Sequence, residues 1–190
     1  MEINEAIPEY KRYTYADYCA WDDGERREII DGISYAMAPG ATNEHQSISM
    51  ELAWQLRSFL QGKHCKVRTA PLDVRLNADH GDDTVVQPDI LVVCDKSKFS
   101  PDGKGVTGAP EFVAEILSPS SEKHDRIVKY KAYQRAGVRE YWIIDPTHKM
   151  VVANVLSGDK YVAHMYFEDD MVPVQVLDGC TINLAEIFAE

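Results

Sequence analysis

Two acidic residues fall where apolar strands are predicted, and they are the first chemical signal in this 190-residue chain. Glu115 lies within the apolar run Glu111–Leu117, where strand alternation puts it on the same face as Val113. A carboxylate in such a strand is costly to bury unless it is paired, protonated or bound to a cation. Asp89 opens a second apolar strand. If the two strands are neighbours, the two carboxylates can hold a hard divalent cation such as Mg²⁺.

A lysine follows on the next predicted helix. Asp125 and Lys129 are four residues apart, so they can share one helical face. An amine aimed at a reacting phosphate or water would stabilise developing negative charge. Each residue also has a plain structural explanation: Glu115 could pair with a core arginine or tyrosine hydroxyl, Asp89 could cap a strand entry, and Lys129 could be solvated. The chemical interpretation therefore depends on the order of the elements along the chain: Asp89 before an apolar strand, a loop, an apolar strand with Glu115, and then a helix with Lys129.

Two further residues are secondary candidates. His45 lies near the start of a long predicted helix and is as well explained by a surface histidine as by a contact to metal or phosphate. Glu28 could join the acidic cluster or pair with Arg26. The other histidines are scattered and receive no role.

The elements that must position these residues alternate between helical and extended patterns. A helix over Tyr15–Trp21 is predicted with Thr14 as its N-cap, and Asp31-Gly32 predicts a tight hairpin turn. The other predicted elements are a helix capped by Asn43 and running to about Gln61, strands Cys65–Thr69, Leu72–Leu76, Asp89–Cys94 and Glu111–Leu117, a serine-capped helix ending at Gly137, strand Arg139–Ile144, strands Met150–Leu156, Lys160–Phe167 and Val172–Leu177, and a helix near Asn183–Phe188.

This order predicts an α/β (α+β) fold: one mixed β-sheet flanked by helices on both faces, with a C-terminal antiparallel β-meander. Without repeats or a separating linker, residues 1–190 are expected to form a single domain. The loop from Lys96 to Pro110 is long enough for a flexible flap over a site. Trp142 and its neighbours in Arg139–Ile144 are expected to serve strand core or dimer packing.

Composition limits the function. With 20 basic and 31 acidic residues the net charge is −11, which disfavours a protein that coats nucleic acid; binding a polyanion needs a local basic face or bridging cations. The four cysteines, widely spaced without a CxxC pair, predict reduced thiols and no zinc site. An acidic N-terminus without an apolar run predicts a cytoplasmic protein that does not enter a membrane. Without a G-x-S-x-G elbow, a serine or cysteine hydrolase is disfavoured.

The combined pattern resembles the PD-(D/E)xK nuclease superfamily, and more narrowly a large bacterial family of restriction endonuclease-like proteins that is abundant in cyanobacteria. The matching segments cover the chain from about Tyr13 to Asp145; they are Glu28-Ile29-Ile30-Asp31-Gly32, His45, Gln87-Pro88-Asp89-Ile90, Glu115-Ile116-Leu117-Ser118-Pro119-Ser120-Ser121, Asp125 with Lys129, Tyr133, and Gly137-Val138-Arg139-Glu140-Tyr141-Trp142-Ile143-Ile144-Asp145-Pro146.

The resemblance implies a restriction-endonuclease-like core that hydrolyses phosphodiester bonds of nucleic acid, with DNA the expected substrate. It implies a divalent cation, Mg²⁺ or Mn²⁺, held by Asp89, Glu115 and the Ile116 carbonyl. The superfamily usually carries its lysine two residues after the glutamate, where this chain has Leu117, so the resemblance assigns that role to Lys129 on the following helix. A homodimer would suit a nuclease that cleaves both strands of duplex DNA. The alternative is a non-catalytic interaction module that retains a nuclease scaffold.

Overall fold

The structure is a computed structural model that describes residues 11–37 and 40–189. Four α-helices are present among these residues: α1 (Tyr15–Ala20), α2 (Asn43–Phe59), α3 (Tyr130–Ala136) and α4 (Leu184–Ile187). A π-helical segment, His124–Lys129, runs directly into α3, and Lys96–Lys98 forms a single 3₁₀ turn. The strands, in chain order, are β1 (Arg27–Ile30), β2 (Ile33–Ala36), β3 (Lys66–Thr69), β4 (Asp73–Arg75), β5 (Val85–Val86), β6 (Ile90–Val93), β7 (Gly105–Thr107), β8 (Phe112–Ile116), β9 (Glu140–Asp145), β10 (Met150–Ser157), β11 (Lys160–Phe167), β12 (Met171–Pro173) and β13 (Thr181–Asn183).

The strands of the described chain form two sheets and a short ribbon. The larger sheet has the order β11-β10-β9-β8-β6-β3, and the smaller has the order β2-β1-β5-β4-β7. Within the described part of the chain, strands β12 and β13 pair only with each other. In the larger sheet β8 and β9 are parallel, while its other neighbours are antiparallel. A parallel pair needs a crossover connection, and the π-helical segment with α3 supplies it between β8 and β9.

The larger sheet separates two apolar layers. Alternate residues of β8 point to opposite faces, so that Phe112 and Ala114 pack with Leu52 and Leu56 of α2, and with the β12–β13 ribbon and α4. The other face packs against α3 and the smaller sheet. Helices thus cover both faces of the larger sheet, as the sequence predicts. All five residues of β8 are buried, in agreement with a strand covered on both sides.

Local sequence signals explain several element boundaries. The Thr14 hydroxyl and the Asp17 carboxylate form a reciprocal capping box at α1. Asp31 and Gly32 both adopt positive φ in the β1–β2 turn, at 53° and 74°. Gly137 ends α3 with φ 82°, a left-handed conformation that glycine adopts without strain.

Other details differ from the sequence prediction. Two sheets are present instead of one, because the β1–β2 hairpin pairs with the short strand β5 and not with a strand of the larger sheet. The expected flap from Lys96 to Pro110 contains β7, which pairs with β4 and so belongs to the smaller sheet. The strand near Val172 pairs with β13 and does not extend the meander, which ends at β11. Thr42, not Asn43, caps α2, because its hydroxyl accepts the His45 N–H.

The prediction of four reduced thiols is also wrong for two of the cysteines. Cys65 and Cys94 form a disulfide, while Cys19 and Cys180 are free. The two partners are 29 residues apart in sequence, and only the antiparallel pairing of β3 with β6 brings them together. Spacing along the chain could not show this. Within residues 11–37 and 40–189, every helix is too short or too polar to cross a membrane.

Candidate active site

The register of β6 and β8 brings the two predicted carboxylates together. Ile90 pairs with Ala114, so the next residue pair along the antiparallel ladder is Asp89 opposite Glu115. The Asp89 N–H lies 3.4 Å from Glu115 Oε2, and Asp89 Oδ2 accepts the Ile116 N–H at 2.9 Å. Asp89 is therefore fixed by the backbone of the strand that carries Glu115.

Lys129 reaches this pair from the π-helical segment. Its Nζ lies 2.9 Å from Glu115 Oε1, 2.9 Å from Glu28 Oε1 and 3.7 Å from Asp125 Oδ1. The Tyr133 hydroxyl donates a second bond to Glu115 Oε1 at 2.7 Å. Of the plain structural explanations, the one for Glu115 holds in part, because Glu115 does contact a core tyrosine. The one for Lys129 is wrong, because Lys129 is buried and not solvated.

Glu28 approaches from the smaller sheet, on β1. Its Oε1 accepts the Gln87 N–H at 2.8 Å, and its Oε2 lies 3.3 Å from His124 Nε2. Arg26 instead donates to the side-chain oxygen of Gln87 at 2.6 Å. Glu28 therefore belongs to the acidic cluster and does not pair with Arg26.

His45 lies in the first turn of α2, next to Asp89. Its Nε2 is 3.1 Å from Asp89 Oδ2, and its buried Nδ1 has no hydrogen-bond partner within the described chain. The contact with Asp89 raises the pKa of His45 above its usual value. A buried ring nitrogen without a partner is rare in folded proteins. The explanation of His45 as a simple surface histidine therefore does not fit.

Charge is unevenly balanced in this cluster. Burial raises the pKa of Glu115 well above its usual range, and neighbouring carboxylates add to this against the opposing effect of Lys129. Burial likewise raises the pKa of Asp125. Burial alone would raise the pKa of Glu28, but Lys129 and His124 hold it below its usual value.

Lys129 itself stays protonated. Burial alone would lower its pKa, but the surrounding carboxylates raise it well above the usual value. The cluster thus contains four carboxylates and one ammonium group, an excess of three negative charges when all are ionised and the histidines are neutral; the carboxylates are those of Glu28, Asp89, Glu115 and Asp125. Burying that excess is unfavourable unless protons or a cation balance it.

These residues fit a hard divalent cation. Carboxylate oxygens are the ligands that Mg²⁺ and Mn²⁺ prefer, and a cation would offset both the burial and the carboxylate repulsion that raise the pKa of Glu115. Asp89 Oδ2 is engaged by Ile116 and His45, which leaves Oδ1 as its oxygen for a cation. The Asp89 side chain is 21% exposed and that of Lys129 only 5%, so access is from the Asp89 side.

All five residues that the sequence singles out as site candidates lie in this one cluster; they are Glu28, His45, Asp89, Glu115 and Lys129. Asp125, expected on the face of Lys129, also lies there. Sequence reasoning missed His124, whose ring packs at a tilt against that of Tyr35 and contacts Glu28. Its only signal is its position five residues before Lys129, which marks a shared face in a π-helix but not in an α-helix.

This chain is similar to a known protein family and to two proteins of Synechocystis sp.. Residues 13–185 match the family model Uma2, described as "Putative restriction endonuclease". An uncharacterized protein of Synechocystis sp. is 29% identical over 136 residues, which cover 69% of this chain and 67% of that protein. A second Synechocystis protein, also uncharacterized, is 25% identical over 138 residues, covering 71% of this chain and 76% of that protein.

A solved structure shows the same fold. The crystal structure of a putative nuclease belonging to DUF820, from Anabaena variabilis, superimposes with a TM-score of 0.74 at 18% sequence identity. The match covers 93% of this chain and 97% of that chain. Because the family model spans nearly the whole sequence, the chain belongs to the Uma2 restriction endonuclease family.

Proposed function

We propose that this nuclease-family protein is a metal-dependent endonuclease that hydrolyses phosphodiester bonds of nucleic acid, with DNA as the favoured substrate. The observation that carries the proposal is the position of Lys129, whose ammonium lies 2.9 Å from Glu115 while Asp89 stands opposite that glutamate in the sheet. The alternative of a non-catalytic module expects this lysine to be turned away from Glu115. The family match supports a nuclease and leaves metal and substrate to experiment.

In the proposed site, Asp89 and Glu115 hold one Mg²⁺ or Mn²⁺, and the Ile116 carbonyl is a further candidate ligand. When bound, the cation would supply Lewis-acid charge at a phosphate oxygen and make a nearby water more acidic. Asp89 is kept in place by the Ile116 N–H. Lys129 orients Glu115 and places positive charge behind it, where it stabilises negative charge that develops on the phosphate.

His45 and Glu28 have supporting roles in this proposal. His45 lies on the accessible side of Asp89, with 16% of its side chain exposed, where it can contact phosphate or hold Asp89 in orientation. Glu28 is buried and binds the far side of the Lys129 ammonium, so it positions the lysine. A cation at Asp89 would also bridge an acidic protein of net charge −11 to a polyanionic substrate.

We further propose a single domain, a cytoplasmic location and a homodimer. The uninterrupted family match over residues 13–185 supports one domain. The cyanobacterial origin of the similar proteins supports the cytoplasm, where bacterial DNA lies. For the dimer, the buried strand β9 is unavailable, but the edge strand β11 exposes Val162, Met165 and Phe167. Light scattering after gel filtration tests it, and a monomeric mass would contradict it.

Cleavage of supercoiled plasmid tests the enzymatic proposal. Asp89→Asn keeps an oxygen for the Ile116 N–H but removes the charge, and Glu115→Gln does the same for the second carboxylate. Each should lower the Mg²⁺- or Mn²⁺-dependent rate by at least about 100-fold. Asp79→Asn, at an exposed aspartate in the Asn77–Thr84 loop, is the matched control and should keep the wild-type rate.

Two outcomes would count against the proposal. If the wild-type protein cleaves no DNA or RNA with either cation, although calorimetry shows that it binds the cation, the non-catalytic module is the better explanation. If Asp89→Asn cleaves as fast as the wild type, the site has been assigned to the wrong residues.

A further inference from the structure

A second cluster of metal-ligating side chains lies far from the carboxylate site. Cys65 precedes β3 and Cys94 follows β6, and since Lys66 pairs with Val93, the two cysteines lie directly opposite each other. Their Cα atoms are 3.9 Å apart. His64 Nε2 lies 3.4 Å from the sulfur of Cys65. One imidazole and two sulfur atoms therefore lie within 4.8 Å of one another.

This cluster borders an open cavity of about 760 Å³ between the end of α2 and the segment after β12. The His64 side chain is exposed, Cys65 is buried and Cys94 is partly buried. Asp89 and Cys94 flank β6 at opposite ends, and the five-residue step between them corresponds to roughly 16 Å of extended chain. The two sites are therefore separate.

The backbone around Cys94 is held in place independently of the disulfide. The Cys94 N–H donates to Glu111 Oε2 at 2.7 Å, and Glu111 Oε1 accepts a bond from Lys98 Nζ at 2.6 Å. The β3–β6 ladder fixes Cys65 from the other strand. Both cysteines would thus stay in register if the bond between them were broken, because neither anchor involves sulfur.

We propose that, when the Cys65–Cys94 disulfide is reduced, His64, Cys65 and Cys94 bind one Zn²⁺. A dithiol reductant would give two electrons and two protons to the disulfide, yielding two thiols and its own disulfide. Zn²⁺ would then displace both thiol protons and bind two thiolates and the His64 imidazole. Thiolate and imidazole are the ligands that zinc prefers, and the cavity leaves the fourth position open to water.

This site cannot be found from cysteine spacing. The residues His64 and Cys65 are adjacent, but Cys94 lies 29 residues beyond Cys65, and no short zinc motif is present. The ligand set exists only because β3 and β6 are antiparallel neighbours. The proposal is also independent of the nuclease assignment, because none of its three residues belongs to the carboxylate cluster.

Cobalt titration tests the proposal. The protein is reduced with a phosphine, freed of the reductant without oxygen, and titrated with Co²⁺, then with Zn²⁺. A thiolate-to-cobalt charge-transfer band should appear with one equivalent and be abolished by Zn²⁺. The carboxylate site has no sulfur and cannot produce this band. Oxidised protein should not show it.

Variants assign the ligands. Cys65→Ser and Cys94→Ser should each abolish or strongly weaken the band. His64→Ala, at an exposed side chain that disturbs no core, should weaken binding by at least about 10-fold, the loss that even an outer-shell change causes. Cys19→Ser removes an exposed free thiol elsewhere and should change nothing. An absent band in the reduced wild type, a band that persists in both serine variants, or unchanged affinity in His64→Ala would overturn the proposal.

Discussion

Lys129 is the residue on which the acidic cluster depends. One ammonium contacts Glu28, Glu115 and Asp125, and all four side chains are almost fully buried. Removing one member of a buried ion-pair network leaves uncompensated charge, which costs about 3–5 kcal/mol. The lysine therefore contributes to folding as well as to the proposed chemistry.

We predict that Lys129→Met lowers the free energy of unfolding by about 3–5 kcal/mol. Glu28, Glu115 and Asp125 then lose the ammonium group that pairs with them and must take up protons or admit water. Urea denaturation at neutral pH measures the change. Lys131→Met, at an exposed position two residues further along the same helix, is the matched control and should alter stability by less than about 0.5 kcal/mol. Equal stability of the two variants would contradict the buried network.

Asp145, at the end of β9, allows a test of pH dependence away from the site. Burial alone would raise the pKa of Asp145, but His148 and Arg126 hold it below its usual value. His148 Nδ1 lies 3.0 Å and Arg126 Nη2 2.9 Å from Asp145 Oδ2. Since the folded pKa is lowered, these contacts stabilise the protein above the ordinary carboxyl pKa, and the stabilisation is lost as pH falls through the folded value.

We therefore predict that Asp145→Asn lowers the free energy of unfolding by about 1–3 kcal/mol at neutral pH. The difference from the wild type should shrink as pH falls below the ordinary aspartate pKa of about 3.9. Denaturation curves of both proteins across this pH range measure it. A difference that grows towards low pH would show that the sign is wrong.

At the scale of elements, the β1–β2 hairpin carries Glu28 into the site. Its turn residue Gly32 has φ 74°, and a Cβ added there would meet Arg12 Cβ at 2.9 Å. Gly158, in the β10–β11 turn, has φ 64° but open space around it. The two glycines share the left-handed conformation and differ in crowding.

Alanine at each glycine separates these two effects. Gly158→Ala should cost about 1 kcal/mol from left-handed strain alone. Gly32→Ala should cost about 1–3 kcal/mol more, because the Arg12 backbone must move to admit the new methyl group. Thermal or urea unfolding measures both. If Gly32→Ala costs no more than Gly158→Ala, Arg12 does not pack closely against Gly32.

At this scale, the individual strands of the site could be predicted from the sequence, but their pairing could not. The apolar runs after Asp89 and around Glu115 predict both strands, because a short continuous apolar run bounded by turn residues is a local signal. Their pairing in register is long-range, and so is the pairing that joins Cys65 to Cys94. The π-helical segment that turns His124 toward Glu28 has no periodic signature that distinguishes it from an α-helix.

At the scale of the whole molecule, the site is formed where separate layers meet. Glu28 comes from the smaller sheet, Glu115 from the larger one, Lys129 from the crossover helix and His45 from α2. The proposed cation ligands Asp89 and Glu115 come together only through the pairing of β6 with β8, so a cation that binds both carboxylates binds the folded state only. Its affinity therefore adds directly to the stability of the fold.

We predict that Mn²⁺ or Mg²⁺ raises the free energy of unfolding, by about 2.7 kcal/mol when the free cation is 100-fold above its dissociation constant. The cation offsets the burial and the repulsion between carboxylates that raise the pKa of Glu115. Urea denaturation in the presence of the cation and of a chelator measures the difference, with oxidised protein so that the cysteine cluster is closed. The double variant Asp89→Asn, Glu115→Gln should lose the cation effect while still unfolding cooperatively. If wild-type stability is the same with cation and with chelator, the buried excess of negative charge is balanced by protons alone, and the proposed metal site has no support from the thermodynamics of the fold.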